Sequence, residues 1–408
     1  MTGASPAHIT VNVRQRPTAV TIELSAARKG VQTQRFRLDG RDRIERALEE
    51  LDSGLLRLKD ALPALTASDR ECLTAYSVLR EIGSNMLFAL FGNNETVVHK
   101  LRDFWQAAFP FACNPQSPVP LVECIGDSGM TFPLEYLPLL RMPLLGAPSS
   151  RADVISRFSS FVGFSCIVQR KMRLPSPGAG LALQLNPDEA LPMRYFYYDS
   201  LRGAREELRW LTSAMSSRIY LEGPFPSAEY GIDLPHQIYD PRLRADGSRR
   251  DMPDQIQHFG CHCYTKARSP LDSEIELSGG GRDVRLRLAS IGSSLFTLAF
   301  ESGRRNFDLP LVFLNACGSA RMRADGAFSF PQLFLQNRNR GFIGTDIEMP
   351  DDVAAAFSAA FYERFLVWRL PLGRSMLEAR RQLLHSSGNP LGIAYTSYAD
   401  PDIHVSGR

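Results

Sequence analysis

Six short apolar runs beyond residue 160 constrain the fold most: Phe164 to Val168, Tyr195 to Tyr198, Arg218 to Leu221, Ile256 to Cys261, Leu311 to Ala316 and Gly341 to Thr345. They are hydrophobic on both faces and separated by helical periodicity, which predicts a largely parallel sheet covered by helices. The closing helices are explicit. Val353, Phe357, Phe361, Phe365 and Trp368 recur every three or four residues, and Met376, Leu377, Ala379 and Leu383 form a second stripe. Both stripes predict core packing. The beginning of the chain follows another rhythm, with alternation at Ile9, Val11 and Val13, at Val20, Ile22 and Leu24, and from Val31 to Leu38, an antiparallel meander. Helices then follow on Ile44, Leu48, Leu51, Leu55 and Leu58, on Leu79, Ile82 and Met86 up to a C-capping Gly92, and from Val97 to Phe109. Pro-rich stretches at 115–120 and 141–150 divide a meander-and-helix region, 1–150, from an α/β region, 151–408, the first being an integral part of the same unit.

Composition removes several function classes. At 408 residues, 44% hydrophobic and 22% charged, the chain is an ordinary folded protein. Its 47 basic and 44 acidic residues leave no summed field for nucleic acid or an anionic membrane. Seven scattered cysteines do not form a disulfide framework and fit a reducing cytoplasm. Apolar runs of about six residues, as in MLFALF, fall far short of the ~20 needed to span a bilayer, and no signal peptide is expected.

Most chemical motifs fail. Neither a GxxxxGK[ST] cradle nor a GxGxxG turn is present, and Gly279, Gly280 and Gly281 read as a hairpin. Gly126-Asp127-Ser128-Gly129 is similar to a serine-protease GDSG loop but lacks its context. His258, Cys261, His262 and Cys263 raise the question of zinc, yet on a strand the cysteines point one way and the histidines the other, with no second ligand pair. No metal and no cofactor is expected.

One pairing stands out. His262 closes one buried strand, and 55 residues later Cys317 closes another, followed by Gly318, Ser319 and Ala320, small residues that leave room for a substrate backbone. Open α/β sheets place their sites at such carboxyl ends. In caspase-like peptidases the histidine also lies roughly 50 residues before the cysteine.

His258-Phe259-Gly260-Cys261-His262, the LVFLNACGSA strand, Gly341 to Thr345 leading into Met349-Pro350-Asp351-Asp352, Leu372 to Arg380, Asn389-Pro390-Leu391-Gly392 and Phe132-Pro133-Leu134-Glu135 together resemble the CHAT domain. That family comprises cysteine peptidases of the caspase and separase type. The resemblance implies a caspase-like α/β fold and a cysteine endopeptidase in which His262 is the catalytic base and Cys317 the nucleophile. The reaction would be acyl transfer through a thioester, with backbone N–H groups of Cys317 and Cys263 facing the oxyanion. Cys263 stands where the family usually has Gly. Glu348, with Asp346 as second choice, matches the place of an acidic residue that reads a basic P1 side chain, and Asn315 stands where metacaspase-like enzymes carry Asp. His258 reads as a strand residue with a satisfied hydrogen bond.

The resemblance further implies a bacterial defence or regulated cell-death setting, a protein substrate, and an activating partner such as a CRISPR-associated or other infection-sensing protein. The Arg-rich loops 240–250 and 321–326 are candidate processing sites. Two rivals remain: a caspase-like module kept only for interaction, and a metal-dependent hydrolase built on the His258 to His262 cluster.

Overall fold

The computed structural model describes residues 8–16, 18–39, 42–92, 94–109, 119–127, 132–139, 148, 150–174, 180–225, 234–244, 247–266, 269–279, 282–302, 309–321 and 329–406. They fall into two compact units: residues up to 173 with 373–396, and residues 174–321, 329–372 and 397–406.

In the first unit the expected meander is present. Strands β1 (Ile9–Arg16), β2 (Ala19–Ala26) and β3 (Gln34–Asp39) pair antiparallel, with Val11 opposite Leu24 and Ile22 opposite Phe36. The free edge of β1 continues in parallel into β4 (Leu121–Gly126) and β5 (Ile167–Met172), giving a five-stranded mixed sheet. The run at Phe164 to Val168 therefore belongs to this sheet, and Phe164 itself lies in a short helical turn before it. Helices α1 (Asp42–Asp60) and α2 (Asp69–Phe91) pack together, and Leu51, Leu55 and Leu58 of α1 and Leu79, Ile82 and Met86 of α2 are buried. Ser68 and Glu71 form a reciprocal capping box, and Gly92 ends α2 at φ 62° with its N–H on the Phe88 carbonyl. Helices α3 (Glu95–Ala108), α4 (Arg151–Arg157) and α5 (Val162–Ser165) complete this stretch. Glu135, from the Phe132 to Glu135 motif, is fully buried and paired with Arg170 of β5 through two 3.1 Å bonds.

The second unit begins with the short β6 (Ala182–Leu183). Its main sheet contains β7 (Leu191–Tyr197), β8 (Ile219–Phe225), β9 (Ile256–Gly260), β13 (Leu309–Asn315) and β14 (Asn339–Thr345), side by side in the order β14-β13-β9-β7-β8 and all parallel. Every residue of β9 and β13 is buried, as strands covered on both faces require. Between β9 and β13 the chain forms an antiparallel ribbon of β10 (His262–Tyr264), β11 (Glu274–Gly279) and β12 (Arg282–Arg287). Helices of this unit are α6 (Arg202–Ala214), α7 (Leu234–Tyr239), α8 (Leu288–Ser302), α9 (Phe330–Gln336) and α10 (Asp351–Tyr362). The stripe Val353, Phe357, Phe361 and Phe365 is buried as expected, but Trp368 is 56% exposed. Helix α10 runs into a π-helical turn at Glu363–Val367, which shifts the register and turns Trp368 outward under the Arg364 guanidinium. Helix α11 (Leu372–Ser387) returns to the first unit, where buried Arg380 donates to the carbonyls of Gly163 and Tyr395.

Candidate active site

Strand register brings the two predicted residues together. Tyr197 of β7, Gly260 of β9 and Asn315 of β13 are aligned neighbours at the carboxyl ends of three adjacent strands. His262 and Cys317 each lie two residues beyond their aligned positions. Both line one cleft, which occupies the position where open α/β sheets bind their ligands.

The turn carrying Cys317 is tied to the next strand. Gly318 adopts φ +61°, a left-handed conformation that disfavours a side chain, and its N–H donates to the Ile347 carbonyl at 2.7 Å. Ser319 Oγ donates to the Leu314 carbonyl and accepts from the Thr345 N–H, and Ala320 N–H donates to the Thr345 carbonyl. Ser319 and Ala320 are buried, so their small size serves close packing on β14 rather than access for a substrate. Of the six described cysteines, Cys317 is the one that is not buried. Burial pushes the thiols of Cys124 and Cys166 up to about 12, and it raises Cys261 and Cys263 too, with the nearby Cys317 sulfur adding to both.

His262 opens β10, and its ring is flanked by Tyr198 and Tyr264 at 5.1 and 5.8 Å between centroids. Across the ribbon it faces Glu276. Burial would lift that carboxyl, but the bonds from Arg285 and Tyr264 and the charges of Arg285 and His262 hold it below its usual range.

His258 is fully buried and has both ring nitrogens occupied, Nδ1 with the Tyr362 hydroxyl at 2.7 Å and Nε2 with Glu207 at 3.0 Å. Among the described residues no group of three or more His, Cys, Asp or Glu is placed to hold a metal ion. Glu207, on α6, also accepts from the Tyr195 hydroxyl and from Asn315 Nδ2. Burial alone would raise Glu207, but the His258 charge and the hydrogen bonds from His258 and Tyr195 outweigh it and depress its pKa.

Asn315 lines the cleft, and its amide nitrogen is committed to Glu207 and to the Ala354 carbonyl at 3.1 and 3.3 Å. Asp346 is buried and Glu348 exposed, and neither is among the cleft-lining residues. The acidic side chains that do line it are Glu207 and Asp351. Asp351 begins α10, where Gly203 of α6 lets the two backbones meet: a Cβ at Gly203 would come within 2.4 Å of the Asp351 carbonyl oxygen. The remaining wall, with Leu201, Ala204, Met349 and Ala354, is apolar. In the sequence Asp351 resembles an ordinary first-turn acid of a helix, and Glu207 a charge on a solvated face. Only the packing of α6 against α10 and β13 reveals them.

The CHAT domain model matches residues 140–401, well over half of the chain. The chain belongs to the CHAT domain family. A Vitiosangium sp. (strain GDMCC 1.1324) protein described as a "probable protease" is 26% identical over 183 residues, covering 43% of this chain and 22% of that relative. The chain thus spans about a fifth of that relative's length. Among solved structures it is similar to separase in its securin complex from Saccharomyces cerevisiae, with 9% identity, TM-score 0.46, and coverage of 98% of this chain and 30% of that one. It is also similar to the Arg-specific cysteine proteinase gingipain R of Porphyromonas gingivalis, with 11% identity, TM-score 0.42, and coverage of 76% and 69%. Among the described residues no helix is long and apolar enough to cross a membrane.

Proposed function

We propose that this CHAT chain is a cysteine endopeptidase with His262 and Cys317 as its dyad. The observation that carries the reading is their shared cleft at the carboxyl ends of β9 and β13, with Cys317 alone unburied among the described cysteines. His262 takes the thiol proton, the Cys317 thiolate attacks a peptide carbonyl, and His262 returns the proton to the leaving amine before water clears the thioester. The backbone amides of Cys317 and Cys263 are the candidates for the oxyanion.

The lining supports a basic P1 residue: an apolar wall that would suit the aliphatic stem and the Asp351 carboxyl that would meet the cation. Glu348, three residues earlier and exposed, adds negative charge outside the cleft, and Asn315 acts as part of its wall. Family membership supports the wider setting we infer, antiviral defence or regulated cell death, with activation by a protein partner or by cleavage. In the Arg-rich loop, Arg244 and Arg249 are exposed, whereas Arg250 is buried against Glu222 and Asp254. Processing there would follow Arg244 or Arg249. The loop 321–326 lies outside the described residues beyond Arg321.

The test is to incubate wild type and Cys317→Ala with a denatured proteome and sequence the new N-termini. Termini following Arg or Lys are expected with wild type alone. Identical termini from both proteins would leave the interaction-module reading in its place. Asp351→Asn is expected to cost the preference for basic P1 at least tenfold in kcat/KM, and Glu348→Ala far less.

A further inference from the structure

The ribbon that carries His262 has two unlike faces. Side chains alternate along a strand and stand beside their partners across a pair, so the register puts His262, Tyr264, Glu276, Ser278, Asp283 and Arg285 on one face. Cys263, Ile275 and Leu277 are buried on the other. Tyr198 and Asp199, which follow β7 out of the main sheet, cross the polar face. The Tyr198 N–H donates to the Gly260 carbonyl at the end of β9 at 2.8 Å. Its ring lies 5.1 Å from the His262 imidazole between centroids, and its hydroxyl donates to Asp283 Oδ2 of β12 at 3.1 Å. The Asp199 N–H donates to Ser278 Oγ of β11 at 2.6 Å.

These contacts matter because the two members of the dyad stand on different parts of the unit. Cys317 follows β13 of the main sheet, and its turn is tied to the segment after β14 by the Gly318 N–H on the Ile347 carbonyl. His262 begins the ribbon, after the chain has left β9. The second ring against its imidazole, Tyr264, lies on the same strand as His262, with its hydroxyl on Glu276 at 2.7 Å and Arg285 holding that carboxylate at 2.8 Å. Those contacts are internal to the ribbon and leave the imidazole free to shift with it relative to Cys317. Tyr198 joins the two parts: its backbone is bonded to β9, its ring meets the imidazole and its hydroxyl holds β12.

We infer that Tyr198 is a positioning residue for the peptidase reaction, holding the His262 ring where it takes the Cys317 proton; the inference rests on the dyad reading above. Tyr198 is half-buried and stands outside the core, so removing its ring frees the imidazole at little cost to the fold. The experiment measures the rate at which iodoacetamide alkylates Cys317 in the full chain at pH 7, read by peptide mapping. A thiol that surrenders its proton to a nearby imidazole reacts faster, and no substrate is needed. His262→Ala sets the rate without the base, expected at least tenfold below wild type. Tyr198→Leu is expected roughly three- to tenfold below wild type, the scale of one lost ring contact, with an unchanged thermal midpoint. Tyr198→Phe keeps the ring and should recover most of that loss. In the His262→Ala background Tyr198→Leu should have no further effect, whereas a general loosening of the cleft would change the rate in both backgrounds. Tyr198→Leu reacting at the wild-type rate, or changing the rate equally with and without His262, overturns the proposal. His262→Ala reacting as fast as wild type is a separate result that overturns the dyad itself, and the positioning role with it.

Discussion

At the scale of single residues, reactivity follows exposure. Cys317 is the described cysteine within reach of solvent, and burial holds the Cys72, Cys124, Cys166, Cys261 and Cys263 thiols above their ordinary titration range. Brief iodoacetamide treatment of native protein at pH 8, followed by peptide mapping, is expected to label Cys317 and spare those five. Labelling of Cys263 at a comparable rate would contradict the packing beside His262. Glu207 gives a pH-dependent counterpart. Its folded pKa is depressed, so its contribution to stability is complete above the ordinary carboxylate range and is lost as pH falls through the depressed value. Glu207→Gln breaks a buried pair and should cost about 3–5 kcal/mol at neutral pH. Urea titrations of both proteins should converge as the solution is acidified.

At the scale of elements, the cleft exists because α6 and α10 meet at their N-terminal ends. Gly203 makes that approach possible, and the atom a Cβ would strike is backbone, which cannot swing away. Gly203→Ala is therefore expected to cost about 1–3 kcal/mol and to displace Asp351, lowering kcat/KM for basic substrates more than for uncharged ones. This is also where the sequence stops being legible. Strand β13 announces itself by a nearly continuous apolar run, whereas β9 carries Gln257 and His258 between its apolar residues; Cys317 and His262 stand just beyond the two strands. Spacing anticipated that His262 and Cys317 would line one cleft because that depends only on strand length and adjacency. Asp351 and Glu207 needed knowledge of which helix ends touch, and a helix leaves the same 3.6-residue pattern whichever end it presents to a neighbour. Trp368 failed for a related reason: the π turn at Glu363–Val367 inserts an extra step that periodicity alone does not reveal.

At the scale of the whole molecule, a net charge of +3 conceals the charges that matter most for folding. Each compact unit closes its interior on a guanidinium–carboxylate pair with both side chains fully buried, Arg170 with Glu135 in one and Arg194 with Asp254 in the other. Desolvation makes such pairs poor sources of net stability, yet removing one member strands the other. In the first unit the Glu135 carboxylate receives two bonds from Arg170 and one from the Thr396 hydroxyl at 3.3 Å, so it joins β5 to the segment after α11. Glu135→Gln leaves a cation without a counter-charge and is expected to destabilise this unit by about 3–5 kcal/mol, seen as faster amide exchange in β4, β5 and α11. Replacing both partners, as Glu135→Leu with Arg170→Met, removes the charges together and should recover most of the loss. If the double variant were as unstable as the single one, the pair would be holding the motif in place through its hydrogen-bond geometry, and the cost of an uncompensated charge would not be the cause.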